Sequence, residues 1–151
     1  MPAPARGDGM FKSYFANCFR EIFGSPPTAD EGSGDEAIRE RLNRAGVVIP
    51  AALFDYYSLA GRHWINENHN RLRPIESLEW IDGKLVFMEE NQVVSLWGIP
   101  KEHLEEADPI VWQGVNGKPI EWYPEDYRLS RFLMAMWKWT MTGEQEPPEA
   151  S

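Results

Sequence analysis

One cysteine, Cys18, stands in 151 residues. No disulfide can form within such a chain, and a reducing cytoplasm is the compartment to expect. No stretch of about 18 apolar residues occurs, so a transmembrane helix is not expected and a membrane role is disfavoured. The opening MPAPARGDG lacks the apolar core of a signal peptide and reads, over residues 1–9, as a disordered lead. Lys and Arg cluster nowhere, so the chain has no segment suited to neutralising a phosphate backbone, and nucleic acid is not an expected partner. Walker-type loops, a Gly-x-Ser-x-Gly elbow and a dinucleotide fingerprint are also missing. The expectation is therefore a protein that is not an enzyme and carries no cofactor.

What the chain has in quantity is negative charge, −9 net, and tryptophan, seven residues. The acidity is uneven. Residues 24–36 carry −4 and residues 142–151 carry −3, whereas 37–141 hold 12 basic and 15 acidic residues. The two acidic runs read as a flexible linker (24–35) and a disordered tail (142–151), where charge serves solvation.

Between them the periodicities separate cleanly. In residues 10–23, MFKSYFANCFREIF, the side chains of Phe11, Tyr14, Phe15, Cys18, Phe19, Ile22 and Phe23 fall on one helical stripe. That stripe either docks on the body of the protein or meets a membrane or partner. Docking is preferred, because Lys12 and Arg20 are too few for a membrane-surface helix. Residues 36–45 form a second helix, with Asp35 as N-cap and Gly46 as terminator. A third, 50–60, starts at Pro50 and stops at Gly61. From residue 75 the period becomes two. Asp82-Gly83 separates two extended runs, a strong hairpin signal. VVSLWGI at 93–99 gives another strand after a Glu90-Asn91-Gln92 turn, and a short helical piece at 101–106 follows. IVWQ and PIEW flank Asn116-Gly117 as a second hairpin, with Pro119 marking a sheet edge. A closing helix at 128–141 places Leu129, Phe132, Leu133, Met136, Trp137 and Met141 on one face. Helices, then strands, then a helix imply an α+β fold, an antiparallel sheet packed against helices, with an extra amphipathic helix at the N-terminus.

Candidate chemistry is sparse. Cys18 lies on the apolar stripe and reads as a small buried hydrophobe. His63 and His69 share a loop with Glu67, but a six-residue separation matches no common zinc spacing and no cysteine joins them, so no metal site is expected. The adjacent carboxylates Glu89 and Glu90 point to opposite faces of a strand and cannot easily share a proton. Trp80, Trp97, Trp112, Trp122 and Trp137 read mostly as core. Trp64 is the suggestive one, since it stands in a loop and exposed Trp is enriched at binding hot spots. The polar run Trp64, Asn66, Glu67, Asn68, His69 and Asn70 offers hydrogen-bond groups that no neighbouring strand obviously uses. The turn Glu89, Glu90, Asn91 and Gln92 projects carboxylates at a strand end. These ten residues are the candidate partner-binding positions, although Asn side chains also commonly bond their own backbone in turns.

Several segments together resemble one family. IPAALFDYYSLAG is similar to its proline-led helix, INENHNRLRP to the Asn-rich loop that follows, and LVFMEENQVVSLWGI to its central strand pair. DPIVWQG and WYPEDYRLSRFLMAMWKW resemble its Asp-Pro-led strand and closing helix. The family is the SUKH superfamily of bacterial toxin-immunity proteins and fungal cell-wall-synthesis regulators, and the resemblance runs from about Val48 to Met141, 94 of 151 residues. It implies a curved sheet and a non-catalytic module that binds another protein. In bacteria that protein is often a cognate toxin. The helix at 10–23 and its acidic linker depart from the family's usual start. The alternatives are a regulatory adaptor or scaffold without a toxin partner, and a small-ligand binder or enzyme using the His63–His69 loop.

Overall fold

The computed structural model describes residues 9–143. Residues 1–8 of the lead expected at 1–9 and residues 144–151 of the tail expected at 142–151 lie outside them, while Thr142 ends α4 and Gly143 caps it. Four α-helices, α1 (Lys12–Phe23), α2 (Asp35–Ala45), α3 (Ala51–Ala60) and α4 (Leu129–Thr142), accompany six strands. The strands are β1 (Asn70–Leu72), β2 (Glu79–Ile81), β3 (Lys84–Glu90), β4 (Ser95–Pro100), β5 (Ile110–Val115) and β6 (Glu121–Arg128). They form one antiparallel sheet in the order β1-β3-β4-β5-β6, with β2 sharing the β1 side of β3. The protein is an α+β fold. No helix among the described residues is long and apolar enough to cross a membrane.

The β2–β3 hairpin turns at Asp82-Gly83, where both residues take positive φ, 52° and 75°. Two successive left-handed residues give the turn whose twist matches paired strands, and Asp-Gly adopts it at low cost. Register shifts at Val86–Met88 and Ile110–Trp112 interrupt two ladders. Bulges of this kind bend a strand and sharpen its twist. β6 is an edge strand and carries Pro124. Pro119, expected within the strand PIEW, falls instead in the loop two residues before β6.

The sheet has two different faces. On one, Leu85, Phe87, Trp97, Ile99 and Val111 join a single core with α1, α3 and α4. On the other, tryptophan supplies part of the cover. Gly98 pairs with Trp112 and Gly114 with Trp122 across neighbouring strands. The Lys84 ammonium stands 4.6 Å from the Trp122 ring and 5.7 Å from that of Trp112, a cation–π cap. The Trp122 indole N–H also donates to Asp82 Oδ2 at 3.0 Å. Trp112 and Trp122 are thus half-buried and Trp80 is exposed, whereas Trp97 and Trp137 are core. A Cβ on Gly114 would sit 2.8 Å from Cζ3 of Trp122. We predict that Gly114→Ala costs about 1–3 kcal/mol, read by urea unfolding, because the indole must leave its seat; an unchanged midpoint would show that Trp122 does not rest there.

α1 docks rather than hanging free. Phe15 and Phe19 are fully buried against α3 and α4, and Phe11, Cys18, Ile22 and Phe23 pack at the margin. Tyr14 stays partly exposed, as does Met141 at the far end of the α4 stripe. Cys18 is half-buried rather than enclosed, and its burial pushes the thiol pKa up. The start of α1 is clasped twice. Buried Asp55 accepts the Phe11 N–H at 3.0 Å, and Lys12 pairs with Asp35 at 2.7 Å. Asp35 is therefore the first residue of α2, tied to Lys12 and Ser58, while Gly34 occupies the cap position.

The acidic linker expected at 24–35 is a strap across α3. Ala29–Glu31 forms one 3₁₀ turn inside a capping box with Thr28. The Gly34 N–H donates to Ser58 O and the Arg62 N–H to Glu31 O. Gly32 approaches so closely that a Cβ would lie 2.1 Å from Ser58 O. Backbone bonds hold this segment, so it needs no side-chain period, which is why its pattern reads as irregular.

α2 is fastened to the segment before β2 by Arg41, whose guanidinium forks onto Glu76 at 2.7 and 2.8 Å. That bond lowers the Glu76 pKa from an ordinary 4.5 to about 2. A depressed carboxylate stabilises the fold at neutral pH, and its contribution is lost as pH falls through about 2. Arg41→Met should flatten this acid limb of stability against pH, by about 1 kcal/mol or less because Glu76 is exposed to solvent screening.

Candidate functional site

The two polar segments singled out in the sequence come together through β1. Asn70 pairs with Glu90 and Arg71 with Glu89, and the Asn91 N–H donates to His69 O at 3.2 Å. Strand β1 is only three residues long and polar, so no period reveals it. The pairing sends Glu89 and Glu90 to opposite faces. Glu89 is engaged on the outer face by Arg73 at 2.9 Å and Arg71 at 3.3 Å. Glu90 turns to the helix face.

There it meets a hollow of about 270 Å³ between the end of the sheet and α4. Asn70, Glu90, Ser95, Gln113 and Glu125 supply its polar wall. Trp97, Tyr127, Phe132, Met136 and Trp139 supply the apolar one. Each strand from β3 to β6 contributes one or two inward residues, because alternate positions share a face. The Trp97 indole N–H donates to Glu125 Oε2 at 2.9 Å. Burial nevertheless raises the Glu125 pKa above its ordinary value, with the Trp97 bond opposing and neighbouring Asp126 assisting. No ion pair among the described residues involves Glu90 or Glu125, and no basic side chain lines the hollow.

The remaining candidates divide. Asn91 and Gln92 are exposed at the β3–β4 turn beside the hollow, and the His69 ring stands 5.3 Å from Trp139. Glu67 and Asn68 are exposed but line no part of it. Trp64 is 52% exposed, stacked at the margin of the Phe23 and His63 rings, 5.6 and 5.3 Å away. Asn66 presents nothing outward: it is 3% exposed and bonds Tyr56 and the Ala60 carbonyl inside the core. Asn70 is likewise buried, facing the hollow rather than the surface.

The His63–His69 loop is not a shared site. His63 is 6% exposed, its Nδ1 accepts the Ile65 N–H, and burial lowers its pKa. His69 belongs to the Trp139 side. No group of three His, Cys, Asp or Glu among the described residues could hold a metal ion. A second acidic stretch, Glu102, Glu105 and Glu106, follows the opposite end of β4 and is exposed. Asp108, beside it, is committed to capping α4 through the Ser130 N–H and hydroxyl at 2.8 and 2.7 Å.

Sequence reasoning reached Asn70 and Glu90 but missed Ser95, Gln113, Glu125, Tyr127 and Trp139. The available signal was the alternation of β5 and β6, in which Gln113 and Glu125 are polar residues at inward positions. No protein-family model, curated protein or solved structure matches the chain.

Proposed function

We propose that this chain is a non-catalytic protein-binding module and, within that class, an immunity-type protein that binds and neutralises a cognate toxin. The observation that supports binding is the hollow at Glu90 and Glu125, a concave, aromatic-walled surface with negative charge and no internal counter-ion among the described residues. Uncompensated carboxylates favour a basic partner and speed its approach. The toxin assignment rests on the SUKH resemblance of residues 48–141.

Crosslinking in the native cells identifies the partner, and inducing that partner alone and beside this chain tests neutralisation. We predict rescue by the parent chain and none by Glu90→Lys or Glu125→Lys, each weakening binding by about 2 kcal/mol or more, some 30-fold in Kd. A harmless partner bound with the same dependence would give the scaffold reading instead. Tight binding by both variants, abolished by Glu102→Lys or Glu105→Lys, would move the interface to the far end of β4.

A further inference from the structure

We propose that the hollow between β3–β6 and α4 is a receptor for an arginine side chain presented by the partner, an inference that rests on the protein-binding reading above. Two carboxylates line a half-enclosed space without a cation. Two further polar groups there are almost wholly buried and only partly used. Asn70, 2% exposed, sends its amide N–H to the thioether of Met136, a weak acceptor, and its amide oxygen has no donor in a side-chain bond among the described residues. Ser95, 8% exposed, accepts from Gln113 Nε2 at 3.0 Å, which leaves its hydroxyl oxygen one lone pair for a further donor. Both residues line the hollow, so a donor that enters it can meet the lone pairs they leave open.

Those donors are several and positively charged. The carboxylates of Glu90 and Glu125, the Asn70 oxygen and the Ser95 oxygen present acceptors from three different strands and the edge segment β1. A guanidinium carries five donors in one plane and is weakly hydrated, whereas an ammonium carries three on a compact, strongly hydrated centre. The apolar wall fits the same choice. Trp97, Phe132, Met136 and Trp139 supply aromatic and apolar surface, which suits a guanidinium on an aliphatic stem. An anionic ligand would meet only like charge. A purely apolar one would strand the Asn70 oxygen and both carboxylates without partners.

The test is titration of isotope-labelled full chain with blocked Gly-Arg-Gly tripeptide, its lysine counterpart, and its counterpart with citrulline, the uncharged isostere of arginine. The Trp97 indole N–H resonance reports, because that group bonds Glu125 directly. Expected are a saturable shift with the arginine peptide, weaker binding of lysine and none of citrulline. Glu90→Gln and Glu125→Gln should each reduce affinity about tenfold, the loss of one charge-assisted contact. Glu90 is partly exposed, so Glu90→Gln keeps the test valid should Glu125→Gln disturb the fold, as judged from resonances outside the hollow. Equal shifts with citrulline, no saturation, or parental affinity of Glu90→Gln would overturn the assignment. If the peptide fails while the crosslinked partner still depends on Glu90, the protein-binding reading survives and the arginine assignment falls. If the peptide binds but no protein partner depends on Glu90, the arginine pocket stands and that reading fails.

Discussion

Phe15→Asp should leave the protein largely unfolded at temperatures where the parent is fully folded. Phe15 has no solvent exposure, and its ring meets Tyr56 edge-on at 5.4 Å and 86°. Truncating a buried Phe costs about 3–5 kcal/mol through lost transfer energy and the cavity left behind. A carboxylate in that position adds several kcal/mol more, either as a desolvated charge or as the cost of protonating it. Domains are stable by only about 5–15 kcal/mol, so the sum approaches the whole. Ser13→Asp is the control on the same helix. Ser13 is exposed, so its change should fall within about 0.5 kcal/mol. Thermal and urea unfolding of both variants decide the matter. If Phe15→Asp melts like Ser13→Asp, α1 is not docked in solution and its stripe is free for a partner or a membrane.

Asn66→Ala should be the second most damaging change, although the residue looks like a surface polar group in the sequence. Its amide oxygen accepts the Tyr56 hydroxyl at 2.6 Å, and its amide N–H donates to Ala60 O at 2.7 Å. Tyr56 in turn accepts the Trp137 indole N–H at 2.7 Å. All three side chains are buried, so this chain of bonds crosses the core from the loop after α3 to α4. Alanine strands the Tyr56 hydroxyl proton, at about 1–3 kcal/mol, whereas the Ala60 carbonyl keeps the His63 N–H at 3.0 Å. Tyr56→Phe strands Trp137 and Asn66 instead. Because the two residues belong to one network, the double variant should cost clearly less than the sum of the singles. Strict additivity in a urea-unfolding cycle would mean that the bonds do not act as a unit.

Asn66 also shows where sequence reasoning reaches its limit. The run Asn66–Asn70 has no period, and nothing local says that Asn66 turns inward toward a tyrosine ten residues earlier. What was legible were features encoded within a few neighbours: the Asp82-Gly83 turn, the stripe of α1, the Asn116-Gly117 hairpin and the closing helix. The α+β class followed from their order. The hollow was not legible, because it exists only when β3, β4, β5, β6 and α4 are assembled. Glu125 sits in EWYPEDYR, where Pro124 suggests a break rather than an eight-residue strand. An edge position makes the difference, since a missing amide hydrogen there costs no ladder bond.

The docking of α1 onto both α3 and α4 sets the order in which the fold can close. A ribosome delivers the aromatic stripe of residues 11–23 before the α4 surface that completes its cover. Until α4 emerges, Phe15 and Phe19 are thus an adhesive face awaiting Leu133, Met134 and Trp137. Contacts separated by more than a hundred residues are the slow ones to form, and exposed apolar surface in the interval invites association between chains. The strap at 29–34 can seat once α3 emerges and hold α1 near its eventual place, so that the final helix closes over a stripe already positioned.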